Sequence, residues 1–358
     1  MTQNTEKAQD RRHFVRGLAS AALLVGAALL GAVAPAAAQS SEAGKVVKWK
    51  GVALQRTSLQ WTEKWMWLKD ELARQTNDRL QLDVVSFPEL GMTGPELIRV
   101  LNSNLVDIAD VVTGYVSGEV PLFEGAQLPG IYADYAQARK GYDAWGSAVV
   151  DGREKQIGGK VIGSFAFSSQ YLWTKNPINS LDDLKGKKIR IFSKAQADYL
   201  SALGAEPVSI PLADLYTALE RGAVDGAVTG PEWATGVKLW EIVGYVTDLR
   251  LAVGGGYVVV SRRAWDALPA DMRAVMEKLA PEVTQRGWDL GARDTTAGIE
   301  LAVKNGIKAT IPAKAEWQPT LAKIAREVVV PGWAKRSGPD ALALFNKNLA
   351  PISGFTAE

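Results

Sequence analysis

The apolar positions along the chain switch between two periods, and the switches divide it into elements. Residues 46–54 form a nearly continuous apolar run broken at Lys48 and Lys50, which predicts a strand. Trp61, Trp65, Leu68 and Leu72 then fall at i, i+4, i+7 and i+11, one face of a helix, and that spacing marks a core stripe. Thr57 and Gln60, just ahead of it, have the separation of a capping box. A strand over residues 80–87, a helix over about 94–102 and a short strand over 107–113 complete a β-α-β-α-β opening. Such an opening predicts an α/β layer with a largely parallel sheet.

Residues 133–156 read as helix and 161–167 as strand. A second α/β series follows, with strands over 187–192, 207–210 and 224–229 and helices over 195–203 and 212–221 between them. Gly254-Gly255-Gly256 precedes a strand over 257–261 and offers flexible torsions at a crossing between layers. Helical periodicity runs through 270–305, and a strand near 307–311 and two helices close the chain. There is no internal repeat and no long linker. The expected fold is therefore α/β, with two lobes joined by several crossing segments. Lobe I takes residues 39–165 plus about 255–290, and lobe II takes 166–254 plus about 291–350.

The N-terminus changes how the rest is counted. Arg11-Arg12-His13-Phe14-Val15-Arg16 stands directly before an uncharged apolar run over 17–38 that ends in Ala36-Ala37-Ala38. A twin arginine, an apolar stretch and small residues at its end predict a Tat-type export signal over residues 1–38, cleaved near Ala38. An uncleaved anchor helix is the alternative, and Pro35 and the Ala/Gly content favour cleavage. The removed segment carries four of the 41 basic and two of the 39 acidic residues, so the mature chain balances at 37 of each. A balanced chain with dispersed charge has no electrostatic footprint for nucleic acid. No second apolar run approaches span length, so the mature protein is expected in solution in the periplasm.

Composition then removes most catalytic chemistry. The one histidine, His13, leaves with the signal, and cysteine is absent throughout. Cys/His zinc sites and His-dependent nucleophile arrangements are excluded for the mature chain. No Walker loop, G-x-S-x-G or G-x-G-x-x-G occurs. Carboxylate-pair hydrolysis or lyase chemistry stays open on composition alone, with no motif to support it.

The middle of the chain is the most informative part. Residues 178–192 read I-N-S-L-D-D-L-K-G-K-K-I-R-I-F, and residues 204–226 read G-A-E-P-V-S-I-P-L-A-D-L-Y-T-A-L-E-R-G-A-V-D-G. Together with Asn104-Leu105-Val106-Asp107-Ile108-Ala109 they resemble the DctP-type solute-binding proteins of TRAP transporters, in order and at the expected spacing. The resemblance implies a two-lobed periplasmic binding protein with the ligand cleft between lobes and a long bracing helix. It further implies capture of a small carboxylate, hinge closure and delivery to a separate ion-driven permease, with no enzymatic activity. An ABC-type binding protein shares the two-lobe logic, and only the D-L-K-G and Y-x-A-L phrases separate the two.

Candidate ligand contacts follow from both lines. Arg190 lies inside a predicted strand between Ile189 and Ile191, and a strand-borne guanidinium among apolar neighbours suits a carboxylate fork. On residues alone a local ion pair is the simpler account; the resemblance makes Arg190 the clamp on the ligand carboxylate. Gln170 stands where relatives that bind sialic acid carry a second arginine, which points to a different acid. Glu232 and Trp233 follow a strand at its carboxyl end, where open α/β sheets place ligands. They resemble the pair in relatives that take 2-oxo or 2-hydroxy acids. Glu232 beside a bound carboxylate needs a donor on the ligand or a bridging cation, sodium or calcium, shared with Gln170. Gln55, Arg56 and Tyr115 sit at carboxyl ends of first-lobe strands, and Tyr257 follows the glycine triplet as pocket wall or hinge packing. No other cofactor is expected.

Overall fold

The computed structural model describes residues 44–358, so the predicted export signal lies outside the described residues. The chain builds two mixed sheets. The first has the order β2-β1-β3-β10-β4, from β1 (Val47–Ala53), β2 (Leu80–Ser86), β3 (Ile108–Val112), β4 (Gly159–Ser169) and β10 (Val253–Ser261). The second has the order β11-β9-β5-β8-β6-β7. Its strands are β5 (Tyr171–Thr174), β6 (Lys188–Ile191), β7 (Glu206–Ser209), β8 (Gly226–Thr229), β9 (Tyr245–Thr247) and β11 (Lys308–Thr310).

Strands β1, β2 and β3 pair in parallel as the opening pattern requires. The sheet is nonetheless mixed, because β10 runs antiparallel between β3 and β4. A strand that returns from the other sheet has no βαβ crossover to fix its direction, so it enters reversed. The same holds for β5, which pairs antiparallel with both β8 and β9. One residue, Gln170, separates β4 from β5, so the chain passes from one sheet to the other almost without a turn.

The Trp61, Trp65, Leu68 and Leu72 stripe is buried in the core against the first sheet, as its period predicts. The capping differs from the expectation. The Trp61 amide donates to the Ser58 hydroxyl at 3.2 Å, and the Gln60 side chain instead reaches the carbonyls of Ala166 and Gly287 at 2.7 and 2.8 Å. One helical stretch also hides an ion pair. Lys64 Nζ donates to Asp110 at 2.7 Å, and Trp65 Nε1 donates to the other oxygen at 2.7 Å, with both charges 1 % exposed.

The glycine triplet is not a flexible crossing. It lies inside β10, and a side chain at Gly256 would collide with the Val111 carbonyl of the neighbouring strand. These glycines permit close backbone approach rather than torsional freedom. The helix read over 133–156 is shorter, Tyr135–Trp145 followed by a single wide turn over Gly146–Val150.

The predicted long helix is one helix, Ala270–Lys304. It lies along β4, where Trp288 Nε1 donates to Ser164 Oγ at 2.9 Å and Thr295 Oγ1 accepts from the Ser169 amide at 2.9 Å. Its last third touches the second sheet's layer, where Gly298 sits so close to Pro231 that an added Cβ would come within 2.7 Å. The C-terminal helices pack across the same junction: Trp333 stacks edge-on against Trp145 at 5.6 Å and donates to the Pro121 carbonyl at 2.7 Å.

Candidate functional site

The carboxyl ends of β1, β3, β6 and β8 converge with the β4–β5 crossing on one small chamber. Open α/β sheets present side chains there because their strands end and their loops diverge. Six of the eight candidates line it: Gln55, Tyr115, Gln170, Arg190, Glu232 and Trp233.

Arg190 is the anchor of this arrangement. It is 1 % exposed, and its Nε and Nη1 donate to the carbonyls of Ile210 and Val228, each at 2.9 Å. The guanidinium carbon lies 5.4 Å from the Phe192 ring, and Phe192 in turn meets Tyr115 edge-on at 5.5 Å. Nη2 is buried with no hydrogen-bond partner. Burial pushes the guanidinium below its ordinary value, and the neighbouring Tyr115 hydroxyl opposes that shift. Among the described residues no carboxylate stands within ion-pair range of it. The simpler account from sequence, a local ion pair, therefore does not hold. A buried cation held by carbonyls, rings and the Tyr115 hydroxyl, with no acid beside it, is incompletely compensated.

Gln170 is buried where β4 becomes β5, its Nε2 donating to the Ser168 carbonyl at 3.0 Å. Glu232 is in the first turn of the short helix Pro231–Gly236 and accepts from the Ser168 hydroxyl. Burial raises the Glu232 carboxyl above its usual range, against the effect of that hydroxyl. Behind it, Asp294 on the long helix is pushed up to about 7 by burial first and by the Glu232 charge second. Gln170 and Glu232 offer only oxygen donors of the kind sodium or calcium takes. Among the described residues no group of three or more Asp, Glu, His or Cys is placed to hold a metal, so a cation here would draw its remaining ligands from the bound acid and the backbone.

Arg56 and Tyr257 do not join the chamber. Arg56 is one residue past Gln55, and its exposed guanidinium pairs with Glu89 at 2.7 Å over the Trp61 ring. The chain enters a turn at Arg56, which carries this side chain to Glu89 and away from the chamber. Tyr257 is 1 % exposed and packs against Tyr142 at 6.2 Å, because β10 is a central strand covered on both faces. The sequence reading missed Leu54, Phe167, Phe192 and Leu212 in the wall, and Asp294 behind it. Phe192 had a signal: the strand predicted over 187–192 puts it two residues past Arg190 and on the same side, although β6 itself ends at Ile191. The rest look like ordinary core positions.

The comparisons with known proteins bear on this geometry. Residues 53–330 match the model of "Bacterial extracellular solute-binding protein, family 7", DctP. The C4-dicarboxylate-binding periplasmic protein DctP of Rhodobacter capsulatus is 25% identical over 280 residues, covering 76% of this chain and 83% of that protein. A Bordetella pertussis extracytoplasmic solute receptor binding pyroglutamic acid superposes with a TM-score of 0.77 at 22% identity, over 84% of this chain and 98% of that one. A TRAP solute-binding protein from Rhodoferax ferrireducens, in complex with benzoate, gives 0.75 at 22% identity, over 86% and 98%. No helix of the described residues is long and apolar enough to cross a membrane. The fold is the two-lobed α/β fold of these binding proteins, and the family works outside the cytoplasm by binding solutes, not by catalysis. The chain belongs to the bacterial extracellular solute-binding proteins of family 7, the DctP family of TRAP transporters.

Proposed function

We propose that this chain captures a small organic acid in the chamber between its two sheets and presents it to a TRAP-type ion-driven permease. The observation that carries the reading is Arg190, a buried guanidinium with a free Nη2 and no acidic partner. A ligand carboxylate supplies the missing charge, and a bidentate pair in a dry cleft has fixed geometry that a lysine cannot reproduce. Relatives that bind pyroglutamic acid and benzoate support a carboxylate as the common element. The two lobes expected from sequence, 39–165 with about 255–290 and 166–254 with about 291–350, are supported to within a few residues by the crossings between the sheets, which fall at Gln170 and just before Val253. Ligand contacts from both favour the closed arrangement, so binding shifts the population toward closure. The twin-arginine segment directs export, and a periplasmic product beginning near Gln39 is what this requires. At Glu232 the acid presents either a donor or a cation, sodium or calcium, bridged to Gln170.

Arg190→Ala, measured by titration calorimetry against the acid identified by mass spectrometry of co-purified ligand, tests the reading. Truncating one partner of a buried charge pair costs about 2–5 kcal/mol, roughly thirty-fold to several-thousand-fold in affinity. Arg190→Lys should fall between, with the ligand-free protein still folded. Binding by Arg190→Ala within about threefold of the parent would falsify the carboxylate clamp.

A further inference from the structure

The chamber around Arg190 continues past Trp233 into a second one, with Leu54, Gln55, Leu212 and Trp233 as shared walls. The additional walls of the second chamber are Phe87, Pro88, Met92, Thr93, Pro211 and Ala213, and none is charged. Across both chambers the charged wall residues are Arg190 and Glu232 alone, one cation and one acid. From these walls we infer that the site takes monocarboxylic acids with an apolar body, the body lying in the Phe87–Met92–Trp233 chamber, and rejects dicarboxylates and polyhydroxylated acids. This rests on the proposed Arg190 clamp and goes further by naming the ligand class.

Three physical points support it. A second carboxylate placed in the Phe87–Met92–Trp233 chamber would find no cation there, since Lys194 lines the separate cleft on another side of Arg190, and it would lie near Glu232, whose own charge is already disfavoured by burial. A sugar-like body would leave its hydroxyls unpaired against Phe87, Met92 and Leu212, each a desolvation loss without return. An aryl or branched aliphatic body removes apolar area from water on both sides and meets the faces of Trp233 and Phe87.

Titration calorimetry of the purified mature protein with phenylacetate, benzoate, isovalerate, succinate and gluconate tests the inference. At least one of the first three should bind tenfold or more tightly than succinate and gluconate. Ala213→Phe, at an exposed wall position of the second chamber, should weaken that acid tenfold or more without lowering the melting temperature. Succinate or gluconate binding as tightly as the apolar acids, with loss on Arg190→Ala, overturns the ligand class and leaves the clamp standing. Unchanged affinity in Ala213→Phe overturns the placement of the body. If none of the five acids binds while the co-purified acid does, the ligand class is overturned and the clamp stands; if binding ignores Arg190→Ala, the clamp itself fails and the inference with it.

Discussion

At the scale of single residues, Glu232 is the group whose partner decides most. It is half-buried, accepts from Ser168, and shares a chamber with Gln170 and Arg190. If a cation bridges it to the acid, chelation or sodium-free buffer should weaken binding tenfold or more, and restoring the ion should recover it. Identical isotherms in all three buffers leave a direct hydrogen bond from the ligand as the only arrangement. The chamber was legible in the sequence where residues follow strand ends, as with Gln55, Tyr115, Glu232 and Trp233, because sheet topology brings such ends together, whereas Arg190 and Gln170 came from the family resemblance. It was not legible at Arg56, where the chain enters a turn and the guanidinium finds Glu89 instead. Nor could it show Asp294, which reaches the back of Glu232 only because a helix distant in sequence lies across the junction.

Among the elements, the helix carrying Trp61, Trp65, Leu68 and Leu72 was read correctly from its period, yet its anchor was not. Lys64 falls beside the apolar stripe, and a lysine there reads as a solvated edge. In the structure it is fully buried against Asp110 of β3, with its ammonium 4.1 Å from the Phe165 ring centroid. Removing one partner of a buried pair leaves the other charge stranded, and Asp110→Ala should cost about 3–5 kcal/mol of stability. Denaturant melts should show Asp110→Ala far less stable than Lys64→Met combined with Asp110→Leu, which removes both charges and keeps apolar bulk. Equal losses in the two variants would show that the pair contributes shape and not charge compensation. The short strands β5 and β9 escaped the sequence reading although β7, β8 and β11, just as short, did not; β5 follows β4 after the single residue Gln170, with no turn residues to mark a new strand.

For the molecule as a whole, one carboxyl reports on how the parts are joined. Glu124 has no exposure, accepts from the Ala195 amide at 3.3 Å, and lies where the turn Pro121–Gln127 meets the start of the helix Lys194–Ala202. Burial raises it to about 7 against the effect of Ser193 and the Ala195 amide, with Arg336 lowering it and Asp198 raising it further. A carboxyl that holds its proton more tightly when folded stabilises the fold below its ordinary value near 4.5 and loses that contribution as pH rises to about 7. Melting temperature of the ligand-free protein should therefore decline across that window, and Glu124→Gln should flatten the decline. A profile unchanged by the substitution would assign the slope to other groups.

The long helix has a mechanical consequence. At about 1.5 Å per residue its 35 residues span roughly 52 Å, and its polar fastenings to β4 run from Ser164 to Ser169. Toward its end the Gly298–Pro231 contact is a bare van der Waals seat. The last of these fastenings, at Thr295, lies three residues short of Gly298, so the helix holds β4 right up to the point where it meets Pro231. Pro231 is the neighbour of Glu232 in the chain, and a bulkier side chain at position 298 would therefore press on the very segment that sets where the Glu232 carboxylate stands.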